Sequence, residues 1–238
     1  MHRFFVSPET ITNQKFSSHD EELIHQLSRV LKIRAGEKIL VLDNAEHEYL
    51  IELSTVNKKA IEGKVLKKEN KLDISSSRQI HLFVPPLKNT SRWEWMLEKC
   101  TEIGVTSFTP LITARTEVKE LRKIERLERI IKEAAEQSGR TKLPVIHEPL
   151  TFQNAVKNDG TNLIATLTPG AEPITGTDAP RRVSTKYNLF IGPVGDFTPE
   201  EITLALEHKF YPISLGSQIL RTETAAMVGV SLLTQAGK

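Results

Sequence analysis

Cysteine is nearly absent from this sequence: Cys100 is the only one in 238 residues. A single thiol can form neither an internal disulfide nor a cysteine-based zinc site. Long apolar runs are missing too, and no stretch approaches the roughly 18 consecutive apolar residues of a membrane-spanning helix. The opening MHRFFVSPETITNQKF has no apolar segment of the kind a secretion signal carries, so the expected location is the cytoplasm. No GxGxxG follows a strand, which argues against an ordinary dinucleotide site, and the lack of GxxxxGK[ST] excludes a P-loop. The histidines, at 2, 19, 25, 47, 81, 147 and 208, show no metal-ligand spacing, and no metal is expected. Neither sign of charge dominates. With 32 Lys and Arg against 30 Asp and Glu, the net charge of +2 permits a nucleic-acid partner without arguing for one.

What is present is globular in character. Apolar residues make up 39% and charged residues 26%, which argues against disorder, and the length suits one large domain or two small ones. The first seventy residues are β-rich, with short runs at 38–44, 47–54 and 59–67 separated by turn-like DNAE and TVNKK. Before them, DEELIHQLSRVLKI (20–33) places Leu23, Leu27, Val30 and Leu31 at helical spacing. Several close strands with one helix suggest a small barrel. ENKLDISSSRQ (69–79) is polar, serine-rich and aperiodic, and is expected to be a linker.

From Ile80 onward, strands alternate with helices. Expected strands lie at 80–86, 107–113, 162–170, 186–196 and 211–215, with helices at 90–104, 121–139, near 151–158, 198–209 and 222–237. The helix at 90–104 gathers Trp93, Met96, Leu97, Cys100 and Ile103 on one face, so Cys100 reads as core rather than nucleophile. Thr198, Pro199 and Glu201 form a capping-box signature. This order implies an α/β fold with a mainly parallel sheet.

In such sheets ligands bind beyond the carboxyl ends of the strands. Three strands here end in turns rich in Gly and Pro: TLTPGAEP, FIGPVGDFTPE and ISLGSQILRTET. Glycine lets backbone approach a ligand closely, and proline holds the turn rigid. Arg221, Thr222, Glu223 and Thr224 crowd the last turn with more polarity than a helix start requires. Elsewhere Arg29, Lys32, Arg34 and Lys38 fall within ten residues, and 122–142 is dense in both signs; alone, each reads as a solvated face.

IGPVGDFTPEE and SLGSQILRTETA resemble the signature turns of the RsmE family, small-subunit ribosomal RNA methyltransferases of the SPOUT superfamily. LEKCTEIGV (97–105), EAAEQSGRTKLP (133–144), the opening HRFFV and the later RVLKI resemble further blocks in the same order, so the match spans the chain. The resemblance implies S-adenosylmethionine-dependent methylation of uridine N3 in small-subunit ribosomal RNA by a homodimer. It also implies a PUA-like RNA-binding β-barrel over 1–72 and an α/β domain with a SPOUT trefoil knot over 73–238. On that basis the cofactor residues are expected to be Leu167, Thr168, Ile191, Gly192, Pro193, Gly195, Ser214, Leu215, Gly216, Ile219, Leu220, Thr222 and Thr224. Arg29, Lys32, Arg34, Lys99, Arg115, Gln137 and Arg140 are the expected RNA-facing residues. One departure stands out: Val194 occupies a position where the family usually has Glu.

Uracil N3 carries a proton, and its lone pair is conjugated with two carbonyls. Methylation there needs help in removing the proton and in stabilising charge that spreads onto oxygen. A guanidinium suits the second task and a carboxylate the first, which makes Arg221 and Glu223 the catalytic candidates. The structural alternatives are a carboxylate placed at a helix N-terminus and an Arg221–Glu223 ion pair. Two functional alternatives also stand: a silent RNA-binding or assembly protein on the same scaffold, and a knotted methyltransferase with another RNA target.

Overall fold

The computed structural model describes residues 1–173 and 185–235 and divides into two compact units. The first contains Met1–Asp73 together with Ala135–Leu143. Its strands are β1 (Arg3–Phe5), β2 (Ile11–Thr12), β3 (Lys15–Ser18), β4 (Lys38–Leu42), β5 (His47–Val56) and β6 (Ile61–Asn70). They form one sheet in the order β1-β4-β5-β6-β3-β2, in which only the β1–β4 pair is parallel. Strands β4 to β6 match the sequence expectation. Strands β1 to β3 are only two to four residues long, too short for a two-residue alternation to register.

Alternation decides which face of this sheet is buried. Ile39 and Val41 of β4 and Tyr49, Ile51 and Leu53 of β5 turn inward, where Leu23 and Leu27 meet them. Those two leucines come from the segment expected to be one helix over 20–33. It is α-helical only in α1 (Glu21–His25), where Asp20 accepts the Leu23 N–H at 2.7 Å, and continues as a wider π-helical stretch through Val30. Near the sheet's edge, Asp43 accepts bonds from the Ala45 N–H, His47 and the Tyr49 hydroxyl. Burial opposes its ionisation, but these donors outweigh it and hold the carboxyl below its usual range.

The stretch 69–79 is not a linker. Strand β6 runs through Asn70, Asp73 is buried, and α2 (Ile74–Ser77) follows at once. The Asp73 carboxylate accepts the N–H groups of Thr141 at 2.9 Å and Lys142 at 3.1 Å, and pairs with Arg140 Nη2 at 2.9 Å. Ala135 adds an apolar contact with Phe5 and Leu42, and Glu136 accepts the Phe5 N–H. Residues 135–143 thereby belong to the first unit, which is discontinuous in sequence.

The second unit follows the alternating pattern. After α2 come β7 (Gln79–Val84), α3 (Thr90–Ile103), β8 (Ser107–Ile112), α4 (Ile124–Ser138, whose residues from Ala135 on count with the first unit), β9 (Val145–Ile146), β10 (Leu150–Thr151) and α5 (Phe152–Ala155). Then come β11 (Thr161–Ala165), β12 (Glu172–Pro173), β13 (Lys186–Phe190), α6 (Pro199–Glu207), β14 (Tyr211–Ser214) and α7 (Thr222–Gln235). Residues 236 and 237 of the expected last helix lie outside the described residues. Helix α4 starts three residues later than its apolar period suggests, and Lys123, just before it, has φ 56°.

The sheet order is β10-β8-β7-β13-β11-β14-β12, with β9 also on β8, and every pairing is parallel. Central strands covered on both faces read as continuous apolar runs, as in Leu82, Phe83 and Val84 or Leu189 and Phe190, all buried. One face carries α3 and α7, with Trp93, Met96, Leu97, Cys100, Ala226 and Val230 in a common core. Cys100 is fully buried, and burial pushes its thiol pKa up, so it is core as expected. Close approach explains Gly229 in the middle of α7: a Cβ there would come within 2.7 Å of Leu189 Cδ2. The other face stacks Phe83 on Phe190 at 4.3 Å, with Phe210 edge-on to Phe190 at 4.8 Å.

After β14 the chain turns back, and α7 packs on α3 and β7. The Thr222 hydroxyl donates to the Gly192 carbonyl at 3.1 Å, so the start of α7 is bonded to the turn that follows β13. This is the segment that the resemblance describes as knotted.

His81 of β7 supplies a pH test of this unit. Its Nδ1 lies 2.6 Å from the Ser107 hydroxyl, and Nε2 is buried without a partner among the described residues. Burial, with the charges of Lys186 and His147, lowers its pKa from 6.5 to about 4. The unfolded chain therefore takes up the proton first, and stability is lost as pH falls from about 6.5 toward about 4. Thermal unfolding should show a smaller drop in Tm between pH 7 and pH 5 for His81→Gln than for the wild type. Equal drops would contradict the burial argument.

Candidate active site

Strand β11 lies between β13 and β14, and all three run parallel. Ile164 pairs with both Phe190 and Pro212, so the three carboxyl ends come out side by side. This register brings the turns 166–170, 191–197 and 215–221 onto one edge. Cross-bonds tie them together: the Thr166 N–H donates to the Ile213 carbonyl at 3.0 Å, and the Thr166 hydroxyl reaches Asp196 Oδ2 at 3.4 Å. Every residue expected at the cofactor, from Leu167 and Thr168 through Ile191, Gly192, Pro193 and Gly195 to Ser214–Thr224, lies in these turns or at their margins.

The turn after β13 is held from several sides. Gly195 (φ 89°) and Asp196 (φ 64°) both adopt left-handed backbone, and the Asp196 N–H donates to the Pro193 carbonyl at 3.0 Å. Asp196 Oδ1 also accepts the Phe197 N–H at 2.8 Å. At Gly192 a Cβ would meet that same Oδ1 at 2.8 Å and the Asp196 Cα at 3.3 Å, so a side chain there would displace the Asp196 carboxylate. Arg115 reaches over from the end of β8 and donates to the carbonyls of Gly195, Asp196 and Phe197. The capping box is present, and Glu201 does more than cap: its carboxylate accepts both the Thr198 N–H at 2.9 Å and the Ala114 N–H at 2.8 Å.

The turn after β14 is more open. Gly216 has φ 132°, which L side chains rarely adopt, and a Cβ there would meet nothing within 4 Å. Ser214 bonds across this turn to both the N–H and the carbonyl of Gly216. Ile219 is 86% exposed, and with Leu167 and the 83% exposed Val194 it leaves apolar surface uncovered on all three turns. Arg221, just ahead of α7, is exposed, and its carbonyl accepts the Ala225 N–H.

Glu223 is 7% exposed, and its ion-pair partner is Arg92, with Nε at 3.7 Å. The Arg221–Glu223 pair weighed from sequence is not among the ion pairs; Arg92 of α3 takes that place. The sequence offers only an indirect signal for Arg92. It sits in the first turn of α3, whose N-cap Asn89 accepts the Arg92 N–H at 3.1 Å, and it follows the strand paired with β13.

The family description "RNA methyltransferase domain" matches residues 75–234, and "RNA methyltransferase PUA domain" matches 20–66. A Synechocystis protein named ribosomal RNA small subunit methyltransferase E is 34% identical, over 97% of this chain and 76% of its own length. The chain belongs to the ribosomal RNA small subunit methyltransferase E family. A Bacillus subtilis protein of the same name is 27% identical over 98% of this chain and 96% of its own. The crystal structure of ribosomal RNA small subunit methyltransferase E from Neisseria gonorrhoeae, bound to S-adenosyl methionine, superposes with TM-score 0.85. It is 26% identical and covers 97% of this chain and 95% of that one.

In this methyltransferase-family chain the expected RNA-facing residues occupy dissimilar places. Arg29, Lys32 and Arg34 are exposed on the first unit, as is Gln137. Arg140 is not exposed. Its side chain is 4% accessible and held by a fully buried Asp73, because a guanidinium withdrawn from water needs a carboxylate partner. Lys99 is bonded to Glu98 at 2.7 Å and Glu102 at 2.9 Å on the outer face of α3. Arg115 is a brace for the turn after β13, as its three carbonyl contacts show.

Replacing Arg115 with Ala removes that brace and leaves the sheet intact. Amide hydrogen exchange at 195–198 should speed up by about tenfold or more, the scale of losing roughly 1.4 kcal/mol of local protection. Unchanged exchange there would show that Asp196 and Gly192 hold the turn without it.

Proposed function

We propose that this chain transfers a methyl group from S-adenosylmethionine to N3 of a uridine in small-subunit ribosomal RNA. The observation that carries the reading is the shared edge of three turns, on which Arg221 and Glu223 stand at the start of α7 beside the open face of Gly216. The residues there suit the cofactor: Gly216 leaves room for close backbone approach, Ile191 and Leu215 are apolar, and Leu167 and Ile219 offer uncovered apolar surface. The bound cofactor supplies a methyl group on a sulfonium, an activated electrophile. What remains for the protein is to align the uracil nitrogen and handle its proton.

In this reading Glu223 takes the N3 proton. Its near-complete burial keeps water from competing for it, and Arg92 stands beside it at 3.7 Å as its ion-pair partner. Arg221, exposed and without an ion-pair partner among the described residues, presents paired donors to charge developing on the uracil oxygens. Gly192 and Gly195, with Asp196 and Thr222 bonded around them, keep the cofactor turn in shape. The exposed cations of the first unit, Arg29, Lys32 and Arg34, would grip phosphates and set register rather than read sequence.

Nucleoside mass spectrometry of small-subunit ribosomal RNA from a strain lacking the protein should show loss of 3-methyluridine and of no other modification. Single-turnover rates with that RNA should fall by about a hundredfold or more in Arg221→Ala, with far less change in cofactor affinity. Glu223→Gln should lose a similar factor that rising pH partly restores, since uridine then ionises unaided. A wild-type chain that binds RNA but not S-adenosylmethionine would instead support the silent-binder alternative.

The assembly is proposed to be a homodimer. The family resemblance is its main support; Leu167, Val194, Ile219, Trp95 and Tyr211 are among the large apolar groups that the second unit leaves exposed and a partner copy could cover. Sedimentation at micromolar concentration should give about twice 26.8 kDa; a single species at 26.8 kDa would refute the dimer.

A further inference from the structure

Glu223 stands apart from the other buried carboxylates among the described residues. Asp43, Asp73, Glu201 and Glu223 are each between 5% and 7% exposed. Asp43 accepts two backbone N–H groups as well as bonds from His47 and the Tyr49 hydroxyl. Asp73 accepts the Thr141 and Lys142 N–H groups and two guanidinium nitrogens of Arg140. Glu201 accepts the Thr198 and Ala114 N–H groups. Glu223 accepts no hydrogen bond among the described residues, and its ion pair there is with Arg92, whose Nε lies 3.7 Å from Oε1. That distance is too long for a hydrogen bond. Buried carboxylates have their lone pairs satisfied, since withdrawing them from water otherwise goes uncompensated. The Glu223 carboxylate is therefore open to a donor that the described chain does not supply.

Arg92 has the complementary property. Its side chain is 49% exposed, and its guanidinium makes no hydrogen bond among the described residues. Its backbone is fixed in the first turn of α3, where Asn89 accepts the Arg92 N–H at 3.1 Å, and α3 follows β7, the parallel neighbour of β13. Glu223 is in the first turn of α7, and the Thr222 hydroxyl bonds that turn to the Gly192 carbonyl after β13. An acceptor without donors and a guanidinium with unused donors thus stand together at the carboxyl end of the sheet.

The edge of uracil is complementary to this pair. N3 carries a hydrogen and has a carbonyl oxygen on either side, so a base that donates N3–H to Glu223 brings an oxygen toward the adjacent guanidinium. We infer that Arg92 is a further catalytic residue, contacting one uracil oxygen while Arg221 serves the other. This rests on the reading of Glu223 as the acceptor of the N3 proton. In that step the N3–H bond breaks, an O–H bond forms on Glu223, and the electron pair stays on the ring, spread over N3 and both oxygens. Glu223 becomes neutral, and the charge of Arg92 that it had balanced now faces the uracil anion. The summed charge of carboxyl, guanidinium and base is zero before and after, so no net charge is created in the partly buried site. N3 then bonds to the methyl carbon with that electron pair, and the carbon–sulfur bond breaks with its electrons left on sulfur as a thioether.

The test compares full-length wild type with Arg92→Gln on small-subunit ribosomal RNA transcribed in vitro with uridine or with 5-fluorouridine. Fluorine makes N3–H more acidic, so the substrate itself supplies part of the stabilisation assigned to Arg92. With uridine RNA the single-turnover rate of the variant should fall by about a hundredfold, the scale for removing one stabiliser of developing negative charge. With 5-fluorouridine RNA the variant should recover much of that loss, while the wild type gains far less. Affinities for the RNA and for S-adenosylmethionine should change little. Rates are taken below the melting temperature of the variant, where the ratio of its two rates does not depend on any loss of stability. An unchanged rate with uridine RNA overturns the role. An equal loss with both RNAs also overturns it and marks Arg92 as a structural partner of Glu223. A loss confined to RNA affinity overturns it as well and marks Arg92 as a phosphate contact. In each of these cases a wild type that makes 3-methyluridine leaves the methyltransferase reading in place. A wild type that binds the cofactor and the RNA but makes no 3-methyluridine removes the reading and the role of Arg92 together.

Discussion

The parallel register of β13, β11 and β14 is the constraint on which the rest of the second unit depends. Parallel neighbours present their carboxyl ends on one side, and Ile164 bonded between Phe190 and Pro212 leaves little freedom in how far each strand extends. Three turns far apart in sequence are therefore brought within hydrogen-bond reach. Thr166 can touch Asp196, and Thr222 can touch Gly192, only because of that register. A slip of one residue would turn each strand's buried side chains to the opposite face and break both contacts.

Positioning and rigidity come from different parts of the chain. The sheet sets where the turns emerge, and a shell of polar side chains sets their shape. Glu201 joins the start of α6 to Ala114, Arg115 braces three carbonyls of the turn after β13, and Arg92 holds Glu223. Glu201 is buried with its carboxylate directed at backbone N–H groups, which is how such a group tolerates burial, whereas Arg115 and Arg92 stay at the surface. The turn after β14 has no comparable brace among the described residues, and a Cβ at Gly216 would meet nothing within 4 Å.

Much of this was legible from residue pattern. The helical face of Trp93, Met96, Leu97 and Cys100 is buried as its spacing implies, and the Thr198–Glu201 capping box forms. The three Gly- and Pro-rich turns stand at strand ends. Less was legible in the first unit, where β1 to β3 are shorter than the window in which alternation can be recognised. The serine-rich stretch before β7 misled for a related reason. Its polarity looks like a linker, yet Asp73 is buried because donors some seventy residues later in the chain surround its carboxylate.

The sequence by itself determined the alternation of elements, the buried helix faces, the glycine positions that left-handed backbone and close contact demand, and, through its motifs, the family. These follow from local periodicity and local stereochemistry, which a linear chain carries in full. Which charges meet was decided only by tertiary structure. Arg140, expected to face RNA, is buried against Asp73, Arg115 donates to three carbonyls of a turn, and Glu223 pairs with Arg92 rather than with Arg221 two residues away. A charged side chain is acceptable at the surface or inside, provided that a partner is present when it is inside. Its own identity does not reveal that partner, because the partner arrives from a distant strand or helix whose place the sheet order alone dictates.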